Sequence, residues 1–127
     1  MLEGKVFHGV VVQGLQNGRK FGFPTANVKL DDENDIGNGV FAVEVFVKGE
    51  KYQGMMYSGT RPTLGLSEKS IEIHIFDFSN DIYGEKISFT VEKKISKEQK
   101  FEDTEDLKNN IARYKNEVLN YFLCERQ

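Results

Sequence analysis

The feature that most constrains this chain is a change of hydrophobic period towards its end. Phe41, Val43, Val45 and Val47 alternate with other residues, as do Ile71, Ile73 and Ile75, and again Ile87, Phe89 and Val91. Period two places each set on one side of a β-strand with that side buried. Beyond these segments, Leu107, Ile111, Tyr114, Val118 and Phe122 recur at steps of four, three, four and four, which is the stripe of an amphipathic helix. Strands without helices between them cannot form a parallel sheet, because each parallel pair needs a long crossover. The pattern predicts an antiparallel β architecture ending in one helix.

Strands are expected at Val10–Gly14, Val40–Val47, Lys51–Met56, Ser70–Phe78 and Lys86–Lys94, where β-branched and aromatic residues concentrate between turn formers. Lys48-Gly49-Glu50 is short and contains glycine, so the strands on either side should form a hairpin. Asp81–Glu85, with Gly84, suggests a second reversal and antiparallel pairing of its two flanking strands. Asp103 or Thr104 can cap the helix, with Glu105 and Asp106 at the positive end of its dipole and a short helical turn over Glu98–Phe101 before it. The helix is expected to lie across the sheet and close one face. Five or six short strands with one terminal helix suggest a small β-barrel, which removes exposed edges by closure.

Composition bounds the function. The 127 residues suit one domain spanning 1–127, and ten Phe with five Tyr supply enough burial to argue against disorder. Seventeen basic against twenty acidic side chains leave a net charge of −3, which argues against gripping a nucleic acid backbone. The apolar run at Val10–Val12 is far too short to cross a membrane, and Met1-Leu2-Glu3-Gly4 lacks the apolar core of a secretory signal. Cys124 is the single cysteine, so no internal disulfide can form, which suits a reducing compartment. A cytoplasmic location is expected, with small-molecule partners and neither nucleic acid nor membrane.

The most unusual segment is Gly14–Asn27. It holds Gly14, Gly18 and Gly22, the pair Arg19-Lys20, and Phe23-Pro24-Thr25-Ala26-Asn27. Glycines allow backbone to approach a bulky anion, and cations attract it. Thr25 and Asn27 are two apart in an extended stretch, so both point the same way and offer hard oxygen donors of the kind Mg²⁺ and its phosphate partners take. No Gly-Lys-Ser/Thr ends the segment, so it is not a common P-loop. A long hairpin turn explains the glycines equally well, since Asn17-Gly18 is itself a strong turn signal.

Gly18-Arg19 followed by Gly22-Phe23-Pro24-Thr25-Ala26-Asn27 resembles the signature of the riboflavin kinase family. The likeness continues, in the family's order, through Gly39-Val40-Phe41, a Gly-x-x-Pro-Thr turn at Gly59–Thr63, the strand Ile71-Glu72-Ile73-His74-Ile75-Phe76, Asp81-Ile82-Tyr83-Gly84 and Glu98-Gln99-Lys100-Phe101. It covers roughly residues 4–114. The resemblance implies a closed six-stranded antiparallel barrel and transfer of the ATP γ-phosphoryl group to the 5′-hydroxyl of riboflavin, giving FMN and ADP. By matched position, Gly14 and Arg19 would lie over the ATP phosphates and Thr25 and Asn27 would hold Mg²⁺ and phosphate oxygens. Glu72 would be the catalytic base, Tyr83 would sit near the nucleotide, and Gln99 and Phe101 would line the flavin side. In many bacteria the family's domain follows an FMN adenylyltransferase domain, for which this chain has no room. It is then either a kinase standing alone or the C-terminal part of a longer parent.

Three positions depart from the family pattern. Tyr57 stands where Asn or Ser is common, Ser96 where the family has Arg, and Tyr114 where Asp is frequent. The departure at Ser96 matters most: it leaves the ATP half of the expected site better supported than the flavin half, and predicts weak riboflavin affinity. The alternative is a flavin- or nucleotide-binding barrel without turnover. An oligonucleotide-binding barrel also has the right size, but the acidic balance and the lack of a basic-aromatic stripe count against it. His8 and His74 match no metal-ligand spacing and are assigned structural or solvent roles. The acidic run Asp31–Asp35 fails the EF-hand template, because Ile36 stands where glycine is required.

Overall fold

The computed structural model describes residues 5–12, 26–30, 36–63, 66–78, 82–97 and 104–125. Among these residues there are six strands and one helix: β1 (Val6–Val12), β2 (Ala26–Leu30), β3 (Gly39–Val47), β4 (Glu50–Thr63), β5 (Leu66–Ile75), β6 (Lys86–Lys97) and α1 (Thr104–Glu125). The strands close into a barrel in the order β1-β2-β5-β4-β3-β6, with every pair antiparallel. The expected six-stranded barrel with a C-terminal helix is the fold observed.

The expected hairpin joins β3 to β4. Lys48 and Gly49 both adopt positive φ, 50° and 82°. Two consecutive left-handed residues are what a type I′ turn requires, and its twist matches that of the flanking strands.

The second reversal is different. β5 and β6 do not pair; β5 lies between β2 and β4, and β6 between β3 and β1. The connection leaves β5 through Phe76 and Asp77, the latter at φ 56°, and crosses to the far side of the barrel. There Ile82 is buried in the interior, while Gly84 N–H donates to the Val11 carbonyl at 2.8 Å and Val11 N–H to the Glu85 carbonyl at 3.0 Å. A buried anchor and two backbone hydrogen bonds to β1 outweigh the local tendency to fold back. The Gly59–Thr63 segment, expected as a turn, is also strand: Gly59 to Thr63 pair with Ser70 to Leu66 of β5. Pro62 is tolerated there because pairing of β4 with β3 ends at Ser58, leaving an edge where no proline N–H is needed.

The alternating sets face inward as predicted. Phe41, Val43, Val45, Ile71, Ile73, Ile87, Phe89 and Val91 pack with Phe7, Val11, Val28 and Met56 to fill the barrel. Phe7 and Phe89 stack across β1 and β6 with ring centroids 5.4 Å apart. Each such side chain contributes roughly 1.5–3 kcal/mol when fully buried. The helix closes an outer face. Tyr114, Val118 and Phe122 pack on Val40, Ala42, Met55 and Phe76, a second cluster outside β3 and β4. Closure of the barrel has already covered the interior, so the helical stripe covers the outside.

Candidate active site

Cross-strand partners in an antiparallel ladder share a face. Following the register across the barrel from Val12 gives one continuous row: Val12 pairs with Asn27, Asn27 with Glu72, Glu72 with Tyr57, Tyr57 with Val40, and Val40 with Ser96. The inward residues alternate with these, among them Val11, Val28, Ile71, Ile73 and Met56. The row therefore lies on the outer face of β1, β2, β5, β4, β3 and β6.

Two members of this row are polar and buried although they face outward: Asn27 at 7% and Glu72 at 8% exposure. Direct partners in a ladder have Cβ atoms about 4.5–5.5 Å apart. The Asn27 amide and the Glu72 carboxylate are thus held side by side, each on a strand whose opposite face is packed into the core. Such a site has its geometry set by secondary structure, which holds side chains more tightly than loops do. Together they offer amide and carboxylate oxygens, the donor type that a hard divalent cation takes. Among the described residues no group of three or more His, Cys, Asp or Glu could hold a metal on its own. The donor set fits an ion that keeps waters and substrate phosphates as its remaining ligands, as Mg²⁺ does.

Tyr83 is exposed in the turn at residues 82–85. That turn is hydrogen-bonded to Val11, the neighbour of Val12 in β1, so it belongs to the same end of the barrel as Asn27. Gly14, Arg19, Thr25, Gln99 and Phe101 lie outside the described residues, as do the acidic run Asp31–Asp35 and the helical turn expected over Glu98–Phe101. His74 is buried on the Glu72 face, edge-on to Phe76 at 5.2 Å, whereas His8 is exposed.

Of the three positions that depart from the family pattern, Ser96 and Tyr114 meet at the other end of the row, and Tyr57 packs against the same outer cluster. The Ser96 hydroxyl donates to the Lys97 carbonyl at 3.1 Å and lies 3.5 Å from the Tyr114 hydroxyl. Tyr114 is buried in the outer cluster, and Tyr57 is partly buried against the same cluster. Gly39 allows this close approach of strands, since a Cβ there would sit 2.5 Å from the Ser96 carbonyl oxygen. Residue spacing in the sequence carried no signal for this convergence, because positions 57, 96 and 114 belong to a strand, another strand and a helix.

Residues 4–122 match the family model for flavokinase, that is, riboflavin kinase. The chain belongs to the riboflavin kinase family. It is 43% identical over 109 residues to an RNA-binding riboflavin kinase of Bacillus subtilis, covering 85% of this chain and 47% of that protein. It is 44% identical over 106 residues to the bifunctional riboflavin kinase/FMN adenylyltransferase of Escherichia coli, covering 83% of this chain and 34% of that enzyme. Among solved structures, a protein from Streptococcus pneumoniae described as a macrolide-efflux protein superposes with a TM-score of 0.84 at 33% identity, over 91% of this chain and 38% of the other. This riboflavin kinase family member thus spans less than half the length of these relatives. Among its described residues no helix is long and apolar enough to cross a membrane.

Proposed function

We propose that this chain is a riboflavin kinase domain that transfers the γ-phosphoryl group of ATP to the 5′-hydroxyl of riboflavin. The observation that carries this reading is the pairing of buried Asn27 with buried Glu72 across β2 and β5. Family membership supports it independently.

In this reading Glu72 accepts the proton of the riboflavin 5′-hydroxyl as that oxygen bonds to the γ-phosphorus and the bond to the ADP oxygen breaks. The strand holds the carboxylate still, so the proton acceptor is in position before the substrate arrives. Asn27, with Thr25, would hold Mg²⁺ and phosphate oxygens; such an ion would supply charge neutralisation at the phosphates. Gly14 and Arg19 would lie over the phosphates and Tyr83 beside the nucleotide, while Gln99 and Phe101 would line the flavin side. The bifunctional relatives make a parent protein with an FMN adenylyltransferase partner domain a natural setting, with residues 1–127 as one kinase domain in the cytoplasm.

Incubation of the protein with riboflavin and Mg-ATP, followed by separation of FMN, tests the reading. FMN formed in step with ADP supports it. Binding of both substrates without FMN assigns the chain to the alternative of a flavin- or nucleotide-binding barrel without turnover.

A further inference from the structure

The row that carries Asn27 and Glu72 continues across β4 and β3 to Ser96, and no role has been given to its middle. The ladder partners of Glu72 on the outer face are Asn27 on β2 and Tyr57 on β4, so with the phosphates held at Asn27 the body of the acceptor lies on the Tyr57 side.

Tyr57 is suited to meet it. It is the direct cross-strand partner of Glu72, on the same outer face. It is only partly buried, packed on one side against the cluster under α1. An aromatic side chain with one flank fixed and part of its surface open presents a rigid wall at little entropic cost. Val40, its partner on β3, is buried in that cluster together with Tyr114 of α1, so the row is covered beyond Tyr57.

We propose that Tyr57 is a specificity-determining residue for the acceptor: its phenol ring packs against the flat ring system of the alcohol substrate and thereby selects an aromatic acceptor. The proposal rests on the riboflavin kinase reading. It sets the distance from ring to reacting hydroxyl, because Tyr57 and Glu72 are partners on one rung of the β4–β5 ladder.

Tyr57→Leu and Tyr57→Phe test it. Loss of an aromatic contact of this kind is expected to raise the KM for riboflavin about tenfold in Tyr57→Leu. The KM for ATP and kcat should stay near wild type, and Tyr57→Phe should behave as wild type, since it keeps the ring. Riboflavin fluorescence is a second readout: a ring stacked on tyrosine is quenched, so the bound flavin should be brighter in Tyr57→Leu than in wild type. A fall in kcat with riboflavin KM unchanged overturns the proposal, as does equal loss in Tyr57→Phe and Tyr57→Leu, or equal quenching in all three proteins. If the wild-type protein forms no FMN, the kinase reading fails, while the quenching comparison still decides whether Tyr57 contacts the flavin. Thermal melts of both variants identify any loss caused by unfolding.

Discussion

The two faces of β5 are a natural comparison. Ile71, Ile73 and Ile75 look inward and Glu72 and His74 outward, yet all five are buried. Burial on the inner face removes apolar surface from water and stabilises the barrel. Burial on the outer face holds a carboxylate in one place. In the proposed reading the same strand supplies scaffold and chemistry on alternate residues, and its pairing with β2 sets Glu72 beside Asn27. The difference teaches that burial alone does not identify a role; the polarity of the buried group and the face it occupies do.

Substitutions on each face should give separable outcomes. The largest effect is expected from Glu72→Gln, which keeps shape and removes the proton acceptor. Turnover should drop by about 10²–10⁴ with little change in the dissociation constants for ATP and riboflavin. Wild-type turnover in that variant would remove the base from Glu72, and collapse of the fold would reassign it to the scaffold. Ile73→Ala acts on the other face at a side chain with no exposed surface. Chemical denaturation should reveal a loss of about 2–5 kcal/mol, while activity per folded molecule stays near wild type. If turnover fell as far as in Glu72→Gln, the two faces would not be functionally separate.

Asn27→Ala removes an oxygen donor beside Glu72 and little volume. Calorimetry should show Mg-ATP binding weakened by about 2 kcal/mol, the scale of a hydrogen bond to a charged group, without a shift in melting temperature. Unchanged binding would dissociate Asn27 from the nucleotide. The smallest effect concerns Ser96, at the far end of the row. Ser96→Arg is expected to strengthen riboflavin binding by about 1 kcal/mol, because a guanidinium can stack on a flat ring. Fluorescence titration in the presence of Mg-ADP measures it. Unchanged or weaker binding would mean that this end of the row does not reach the flavin.

Much of this molecule is legible before it folds. Alternation identified the inward faces of β3, β5 and β6, because period two is a local property of strand geometry. The stripe Tyr114, Val118 and Phe122 identified the buried side of α1 for the same reason. The Lys48-Gly49 turn was readable because few residues adopt a left-handed backbone. Glu72 and Asn27 were nominated from motifs that resemble a family.

Their adjacency was not readable. A ladder partner depends on which strands meet and in what register, and those are decided by how the whole barrel closes. The connection after β5 illustrates this: its glycine and its brevity argued for a hairpin, but burial of Ile82 and the hydrogen bonds to Val11 sent β6 to pair with β1 and β3. The tertiary packing also brought Ser96 and Tyr114 together from a strand and the helix. Sequence alone determined which residues point inward, since that depends on neighbours one or two positions away. Only the tertiary structure decided which outward residues stand side by side, since that depends on contacts between residues far apart in the chain.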